Sequence, residues 1–226
     1  MTGSGLAEAV RAALGTVRDP ELDEPITDLG FIASYAVDDD GVAAVRLRLP
    51  TFFCAPNFAW LMVADAYDAV SALPGVTRAE IALVDHFTAE VINSGVAARA
   101  GFAASFAGEA QADLDELRAA FVRKAALAGQ DRVARPLVDA GRTPEELVAT
   151  RLGDLPPSPD LDRMRERRAQ IGLPYGDDAP LLVHPDGTPV TVDQVPLHLR
   201  RARLTRVGIE VNTRTCRDLL AKRYAI

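Results

Sequence analysis

The sequence predicts an α+β fold, in which a small sheet with helices packed on one face is followed by a mainly helical extension. Over the first hundred residues, the spacing of apolar side chains alternates between a period of 3.6, typical of amphipathic helices, and a period of 2, typical of strands. After residue 100 the pattern is mostly helical. With 226 residues, 48% hydrophobic and 25% charged, the chain has the composition of a folded protein.

The first hundred residues predict the order helix, strand, strand, helix, strand. The first helix ends at Asp19, because the residue before a proline avoids the helical conformation. The turn Asp38–Gly41 favours a hairpin between the first two strands. The expected elements are helices over 6–17 and 56–73 and strands over 31–37, 42–49 and 77–83.

The rest of the chain predicts two further parts. A helical segment over 101–155 contains Gly129 as an expected helix C-cap and Thr143 as an N-cap. The proline-rich run 155–159 predicts a stiff linker. A small basic unit over 160–226 follows, and its expected elements are a helix over 161–170, a short strand over 181–184, a helix from 191 and a last helix over 214–224. The predicted domains are therefore 1–100, 101–155 and 160–226.

Charge and hydropathy exclude several classes of function. Residues 1–100 carry a net charge of −8, which argues against nucleic acid as a partner of that half. The basic tail contains Arg200, Arg201 and Arg203 but no aromatic stacking platform, so nucleic-acid binding is not expected. No uncharged apolar run reaches the ~18 residues of a membrane span, and the N-terminus lacks the pattern of a secretory signal. We expect a cytoplasmic protein with no membrane partner.

Motifs of common enzymes are absent from the sequence. It lacks paired-cysteine zinc signatures, phosphate-binding loops, dinucleotide-binding glycine motifs and nucleophile elbows. We therefore do not expect an enzyme. Two cysteines form at most one bridge, so the chain is not a disulfide scaffold.

Cys54 is the residue most suggestive of chemistry. It lies between the second predicted strand and the second predicted helix, with the hydroxyl of Thr51 nearby. The start of a helix favours thiolate over thiol, and thiolate is the form that binds soft metals. The alternative reading is a small buried side chain among Phe52, Phe53 and Phe58.

Four short motifs follow one another in the first half of the chain: Asp19-Pro20-Glu21, Asp28-Leu29-Gly30-Phe31, Thr51-Phe52-Phe53-Cys54 and Leu73-Pro74-Gly75-Val76. This series over residues 6–90 resembles the iron–sulfur cluster assembly factor family. That family includes the accessory protein of the phenylacetate-degradation monooxygenase cluster and the cytosolic iron–sulfur targeting factor of eukaryotes. Members usually have Gly before the cysteine and Pro directly after it, whereas this sequence has Phe53 and Ala55.

The resemblance implies a role in delivering iron or an iron–sulfur cluster to client proteins. It implies Cys54 as the cysteine of the site with Thr51 in support, and it touches Asp19 and Glu21 in the acidic loop. The extension after residue 100 lies outside the resemblance and suits a client-specific or oligomerising role. One branch of the family serves an iron-dependent monooxygenase, so the expected partners are a client metalloenzyme of that type and a second copy of the chain.

Four further candidate residues have both a functional and a structural interpretation. Asp19 and Glu21 are either hard oxygen ligands or turn-forming carboxylates. His86, after the third predicted strand, is either a ligand or a structural histidine. Cys216 stands among arginines at a predicted helix start, which would lower its pKa, and it is either a second thiol or a bystander.

Two functions from different classes follow from these observations. The first is a non-enzymatic maturation factor that binds iron or an iron–sulfur cluster transiently. The second is a docking or assembly protein for a partner enzyme, in which the cysteine is inert. Any cluster would have to be shared between chains, because a chain with two cysteines cannot provide four thiolate ligands.

Overall fold

The computed structural model describes residues 3–108 and 114–225. Three strands form one sheet: β1 (Ile32–Val37), β2 (Val42–Leu47) and β3 (Arg78–Leu83). The helices are α1 (Gly3–Leu14), α2 (Pro56–Ser71), α3 (Ala89–Ala97), α4 (Phe102–Ser105), α5 (Asp115–Asp139), α6 (Pro144–Ala149), α7 (Pro159–Gln170) and α8 (Val195–Tyr224). Short 3₁₀ turns lie at Leu152–Asp154 and Val192–Gln194.

The sheet confirms the predicted α+β class and the predicted order of its first five elements. Its strand order is β1-β2-β3, with β1 antiparallel to β2 and β2 parallel to β3. The hairpin turn forms as expected, because the Asp38 carboxylate accepts hydrogen bonds from the amides of Asp40 and Val42. Gly41 has a positive φ of 78°, which glycine adopts without strain.

One face of the sheet is buried and the other is exposed. In β2, Ala43, Val45 and Leu47 are buried, whereas Ala44 and Arg46 are exposed. The strand period of 2 produces this alternation. The helices α1, α2 and α3 all contact the sheet. Helices on one face and an open second face therefore agree with the sequence prediction.

The described chain forms two compact units, unit 1 (Met1–Glu116 with Asn212–Ile226) and unit 2 (Leu117–Val211). The domain boundaries predicted at 100 and 160 stay a prediction. The proline-rich run 155–159 lies inside unit 2, where Leu155 packs against the core and the Ser158 hydroxyl accepts from the Leu161 amide. In the structure this run connects two elements of one unit.

Three expectations about helix ends are wrong. The first helix ends at Leu14 and not at Asp19. Gly129 is not a helix C-cap but an interior residue of α5, where a Cβ would lie 3.0 Å from the Met164 side chain. Its lack of a side chain allows close packing instead. The helices expected from 191 and from 214 are one continuous helix, α8. By contrast, the capping box at Thr143 forms with Glu146 as predicted.

The expected strand over 181–184 is also absent. Its residues form only an isolated bridge between Val183 and Pro189. The side chain of Gln130 bonds to both backbone groups of Val183, donating to its carbonyl and accepting from its amide, at 3.1 and 2.9 Å, while the Leu181 amide donates to the Thr150 carbonyl. The local spacing of apolar residues cannot predict hydrogen bonds to a side chain on a helix far away in sequence. No helix among the described residues is long and apolar enough to cross a membrane.

Candidate functional site

Two loops at one edge of the sheet form the candidate site. Because β2 and β3 are parallel, their carboxyl ends meet at the same edge. The loop 48–55 follows β2, and the loop 84–88 follows β3. The Phe87 amide donates to the Phe52 carbonyl at 3.2 Å, which joins the two loops.

Cys54 lies in the first of these loops, two residues before the first residue of α2. Ala55 is the N-cap and Pro56 occupies the first helical position, where its missing N–H is not needed. The thiol is half-buried, and its Sγ lies 3.3 Å from the Thr51 hydroxyl oxygen. The structure thus gives Cys54 the helix-start position and the hydroxyl neighbour that the sequence predicts.

His86 fixes the backbone of the cysteine loop. Its Nε2 donates to the Cys54 carbonyl oxygen at 2.7 Å. Its Nδ1 then accepts from the amide and the hydroxyl of Thr88, at 3.3 and 3.1 Å. This tautomer is the neutral imidazole, and burial is the main cause that lowers the pKa of His86, with Arg223 acting in the same direction. With both ring nitrogens engaged, His86 is a positioning residue in this structure.

Asp19 is a buried carboxylate that shapes the acidic loop. Its Oδ1 accepts from the amides of Glu21 and Leu22, both at 2.9 Å. Burial raises its pKa to about 6, against the opposing effect of these two hydrogen bonds. Glu21 is nearer the surface, and its Oε1 accepts from Asn212 at 3.3 Å. These bonds are those of a turn-forming carboxylate, the structural one of the two interpretations of Asp19.

Cys216 belongs to the same unit as Cys54, although 162 positions separate them in sequence. It is half-buried in the interior of α8, and both cysteines pack against the core of unit 1. Burial raises the pKa of Cys216 to about 11, and the negative charges of Asp19, Cys54 and Glu21 act in the same direction. The expectation of a lowered pKa is wrong, because Cys216 is not at a helix start and its charged neighbours are acidic.

The end of α8 binds both loops, which the sequence did not reveal. Arg223 donates to the Leu49 carbonyl at 3.1 Å and to the Asp85 carbonyl at 2.6 Å. The Tyr224 hydroxyl donates to an Asp85 carboxylate oxygen at 3.3 Å, and Arg48 stacks over the Tyr224 ring. A basic and an aromatic residue at the end of a helix carry no local signal of such long-range contacts.

Three exposed phenylalanines surround the cysteine loop. Phe52, Phe53 and Phe87 have 44%, 75% and 48% of their surface exposed. Their ring centroids lie 5.0–6.3 Å apart, so they form one aromatic cluster on the surface. The alternative interpretation of Cys54, as a small side chain buried among Phe52, Phe53 and Phe58, is therefore wrong for Phe52 and Phe53, which are exposed.

The described residues do not form a complete metal site. Within them, no group of three or more His, Cys, Asp or Glu side chains is arranged to hold a metal ion. The structure brings Cys54 into contact with Thr51 through its thiol and with His86 through its carbonyl. The negative charges of Asp19 and Glu21 help to raise the pKa of Cys216.

Comparison with known proteins gives matches to part of the chain. The sequence profile of a family described as "Iron-sulfur cluster assembly protein" matches residues 7–81. An uncharacterized protein of Methanocaldococcus jannaschii is 35% identical over 86 residues, which are 38% of this chain and 88% of that protein. The Fe-S protein maturation auxiliary factor YitW of Bacillus subtilis is 32% identical over 79 residues, which are 35% of this chain and 76% of that factor.

Two further matches support less, because one covers a small part of the relative and the other has a low structural similarity. An iron-sulfur cluster carrier protein of Mycobacterium tuberculosis is 35% identical over 78 residues, but this chain spans only 20% of its length. A crystal structure of a domain of unknown function from Bacillus anthracis has 25% sequence identity, covers 44% of this chain and 94% of that domain, and has a TM-score of 0.35. The family profile ends at residue 81, so it does not include α3 to α8.

Proposed function

Since this chain belongs through residues 7–81 to the iron–sulfur cluster assembly protein family, we propose that it holds iron or an iron–sulfur cluster transiently at Cys54 and passes it to a client metalloenzyme. A general role in iron–sulfur assembly follows from the family. The observation that carries the proposal is the position of Cys54 on a loop held by His86, with its thiol beside Thr51 and only half-buried.

The geometry suits a carrier better than a permanent metal site. A structural site closes its coordination shell within the protein, whereas a carrier must release its cargo. The described part of the chain has no complete ligand set, and Cys54 is partly accessible. Cys54 would lose its proton as its sulfur binds iron. The remaining ligands would come from a second copy of the chain or from the client, and the role involves no catalytic turnover by this chain.

The finer parts of the proposal concern partner and compartment. We propose an iron-dependent monooxygenase as the client, because one branch of the family that this chain resembles serves such an enzyme. Two free thiols suit a reducing compartment such as the cytoplasm. A homodimer is the simplest assembly that brings two Cys54 side chains to one cluster.

Anaerobic reconstitution of the full-length protein with iron and sulfide tests this proposal. We expect visible absorbance from a cluster, in a dimeric or larger species on size-exclusion chromatography. Cys54→Ala should abolish it, because the substitution removes the ligand and leaves the fold intact. His184→Ala, which removes an imidazole from unit 2, serves as the control for adventitious iron and should match the wild type. A cluster that survives Cys54→Ala, or that forms on a strict monomer, would contradict the proposal.

The second candidate is a docking protein with an inert cysteine. The exposed aromatic cluster of Phe52, Phe53 and Phe87 favours it, because exposed aromatic side chains are typical of contact sites between proteins. The reconstitution experiment distinguishes the carrier function from the docking function. The docking function predicts that the wild type retains neither iron nor a cluster, whereas the carrier function requires it to retain one.

A further inference from the structure

A groove in unit 2 lies between the last turns of α5 and the first turns of α8. Its volume is about 290 Å³. Ala134 and Val138 of α5 and Leu199 of α8 give it an apolar lining, and Val138 is 42% exposed. Arg200 and Arg203 line its α8 side. The groove therefore combines an apolar surface with positive charge.

The groove is positively charged because its carboxylates are already paired. The pairs are Asp131–Arg206 at 2.6 Å and Asp139–Arg135 at 3.7 Å. Arg200 and Arg203 are exposed, and neither side chain forms an ion pair or a hydrogen bond with a residue that the structure describes. Two guanidinium groups are thus left to bind carboxylates of another molecule, each through two parallel hydrogen bonds.

An exposed apolar stripe on α8 continues this surface. Leu204 and Val207 are 66% and 40% exposed, and they follow Arg200 at intervals of four and three, so the three residues share one face of the helix. Beside them, a Cβ at Gly208 would have no described atom within 4 Å. Leu197, seven positions before Leu204, is 54% exposed. Exposed apolar patches with a polar rim are typical of contact sites between proteins.

We infer that the α5–α8 groove and the apolar stripe form one docking surface, which binds an amphipathic helix of a partner protein whose apolar face is flanked by Asp and Glu. Helices bind grooves of this kind through apolar side chains three and four positions apart. The carboxylates of such a helix complement Arg200 and Arg203. The inference goes beyond the proposed carrier function and requires no metal.

Charge and hydropathy together distinguish this partner from two others. A second copy of the chain that used the same surface would place Arg200 and Arg203 of both copies in one contact, where like charges repel. Nucleic acid would bind the two arginines through its phosphates, but it would leave Leu204 and Val207 without an apolar partner. An acidic amphipathic helix satisfies the arginines and the apolar side chains at once.

The docking surface assigns a role to the extension that the family profile does not include. The profile ends at residue 81, whereas the groove and the stripe lie wholly within unit 2 (Leu117–Val211). The part of the chain that matches the family carries the cysteine, and the extension would recruit a partner.

Fluorescence anisotropy with the full-length protein and two synthetic helical peptides tests the inference. Both peptides carry Leu at intervals of three and four, flanked by Glu in the acidic peptide and by Lys in the basic peptide. We expect the acidic peptide to bind at least about ten-fold more tightly, and its affinity to fall as salt is added. The net charge of the chain is −7, so nonspecific attraction would favour the basic peptide instead.

Two variants and a matched control locate the binding. The double variant Arg200→Glu with Arg203→Glu should reverse the preference, so that the basic peptide binds more tightly, a gain that unfolding cannot produce. Leu204→Ala should weaken binding of the acidic peptide by about ten-fold, because it removes an exposed apolar contact. Arg217→Glu changes another exposed arginine of α8, in unit 1, and should match the wild type.

Three results would overturn the inference. The first is a wild-type protein that binds neither peptide or does not distinguish them. The second is binding of the acidic peptide that the double variant leaves unchanged. The third is a labelled DNA duplex that binds the wild type more tightly than the acidic peptide does and is released by the double variant, which would make the surface a phosphate-binding one. None of these results depends on whether the protein takes up iron or a cluster.

Discussion

The two units of the molecule bury polar side chains for different purposes. In unit 1, His86 is buried beside the loop that carries a half-accessible thiol and exposed aromatic rings, and Asp19 is buried in the acidic loop after α1. In unit 2, the buried polar groups bond to backbone or to one another: Arg168 donates to the carbonyls of Pro174, Pro180 and Leu181, and His198 donates to Gln130. The difference teaches that a buried polar group can hold either a core segment, as Arg168 does, or a loop with a partly accessible thiol, as His86 does.

Arg168 illustrates the structural use. Its side chain is completely buried, and burial lowers its pKa to about 10. It donates to three carbonyls, and one of these, that of Leu181, lies in the segment expected as a strand. In unit 1, Arg223 also donates to two carbonyls, but these belong to the loops that hold Cys54 and His86. The same chemistry stabilises a core in one unit and positions a thiol in the other.

The largest expected effect on stability is that of Arg168→Leu. We expect it to lower the free energy of unfolding by about 2–4 kcal/mol, because it removes the donor to one buried and two partly buried carbonyl bonds. Urea unfolding of the full-length protein measures the loss. The control Arg142→Leu removes an exposed ion pair with Glu146 and should cost less than about 1 kcal/mol. Equal losses would mean that the buried bonds contribute nothing beyond a surface pair.

Opposite pH dependences should follow from one buried group in each unit. Burial lowers the pKa of His198 from 6.5 to about 4, so the stability it contributes is present above pH 6.5 and is lost as the pH falls through 4. Burial raises the pKa of Asp19 from 3.8 to about 6, so its contribution is present below pH 3.8 and is lost as the pH rises through 6. Each effect is on the order of 3 kcal/mol.

Unfolding of the full-length protein between pH 3.5 and 7.5 measures both dependences. His198→Gln should flatten the loss of stability toward acid, and Asp19→Asn should flatten the loss between pH 4 and 7. Each variant is the control for the other. If both variants changed the free energy of unfolding in the same pH range, the assignment of the two groups to their pH ranges would be wrong.

The smallest effect on stability is expected at His86, where the chemistry should change more than the fold. His86→Leu removes the donor to the Cys54 carbonyl and should cost about 1 kcal/mol. The freed loop should alter the rate at which Cys54 is alkylated at pH 7 under anaerobic conditions, measured by mass mapping. His198→Leu is the matched control in unit 2, and we expect it to lower stability without changing that rate. A rate unaffected by His86→Leu would contradict its positioning role.

Much of unit 1 could be predicted from local patterns. The periods of 3.6 and 2 predicted α1 to β3 in order, and Gly41 marked the hairpin. The helix start at Pro56 gave Cys54 its position before α2. These features depend on residues close together in sequence, where backbone preferences and caps act. The expected roles of Asp19, Glu21, Thr51 and His86 as site residues stay predictions.

Unit 2 and the tail were predicted less well, because distant side chains decide them. The segment 181–184 has the apolar pattern of a strand, but Gln130 and Arg168 satisfy its backbone. The glycine at position 129 suggests a helix end, but the close packing of Met164 against it explains why a residue without a side chain stands there. The break expected before residue 214 does not occur in α8. Local propensity is a weak guide where tertiary packing provides the partners.

By itself, the sequence determined the α+β class, the order of elements in unit 1 and the cysteine at the start of α2, because each depends on periodicity, turns and capping within a few residues. Only the tertiary structure decided which groups surround that cysteine. The parallel pairing of β2 with β3 brings His86 to the Cys54 loop. The bonds of Asn212 to Glu21 and of Arg223 to Leu49 hold the last part of α8, with Cys216, in the same unit. Contacts across such distances arise from packing and leave no pattern in the local sequence.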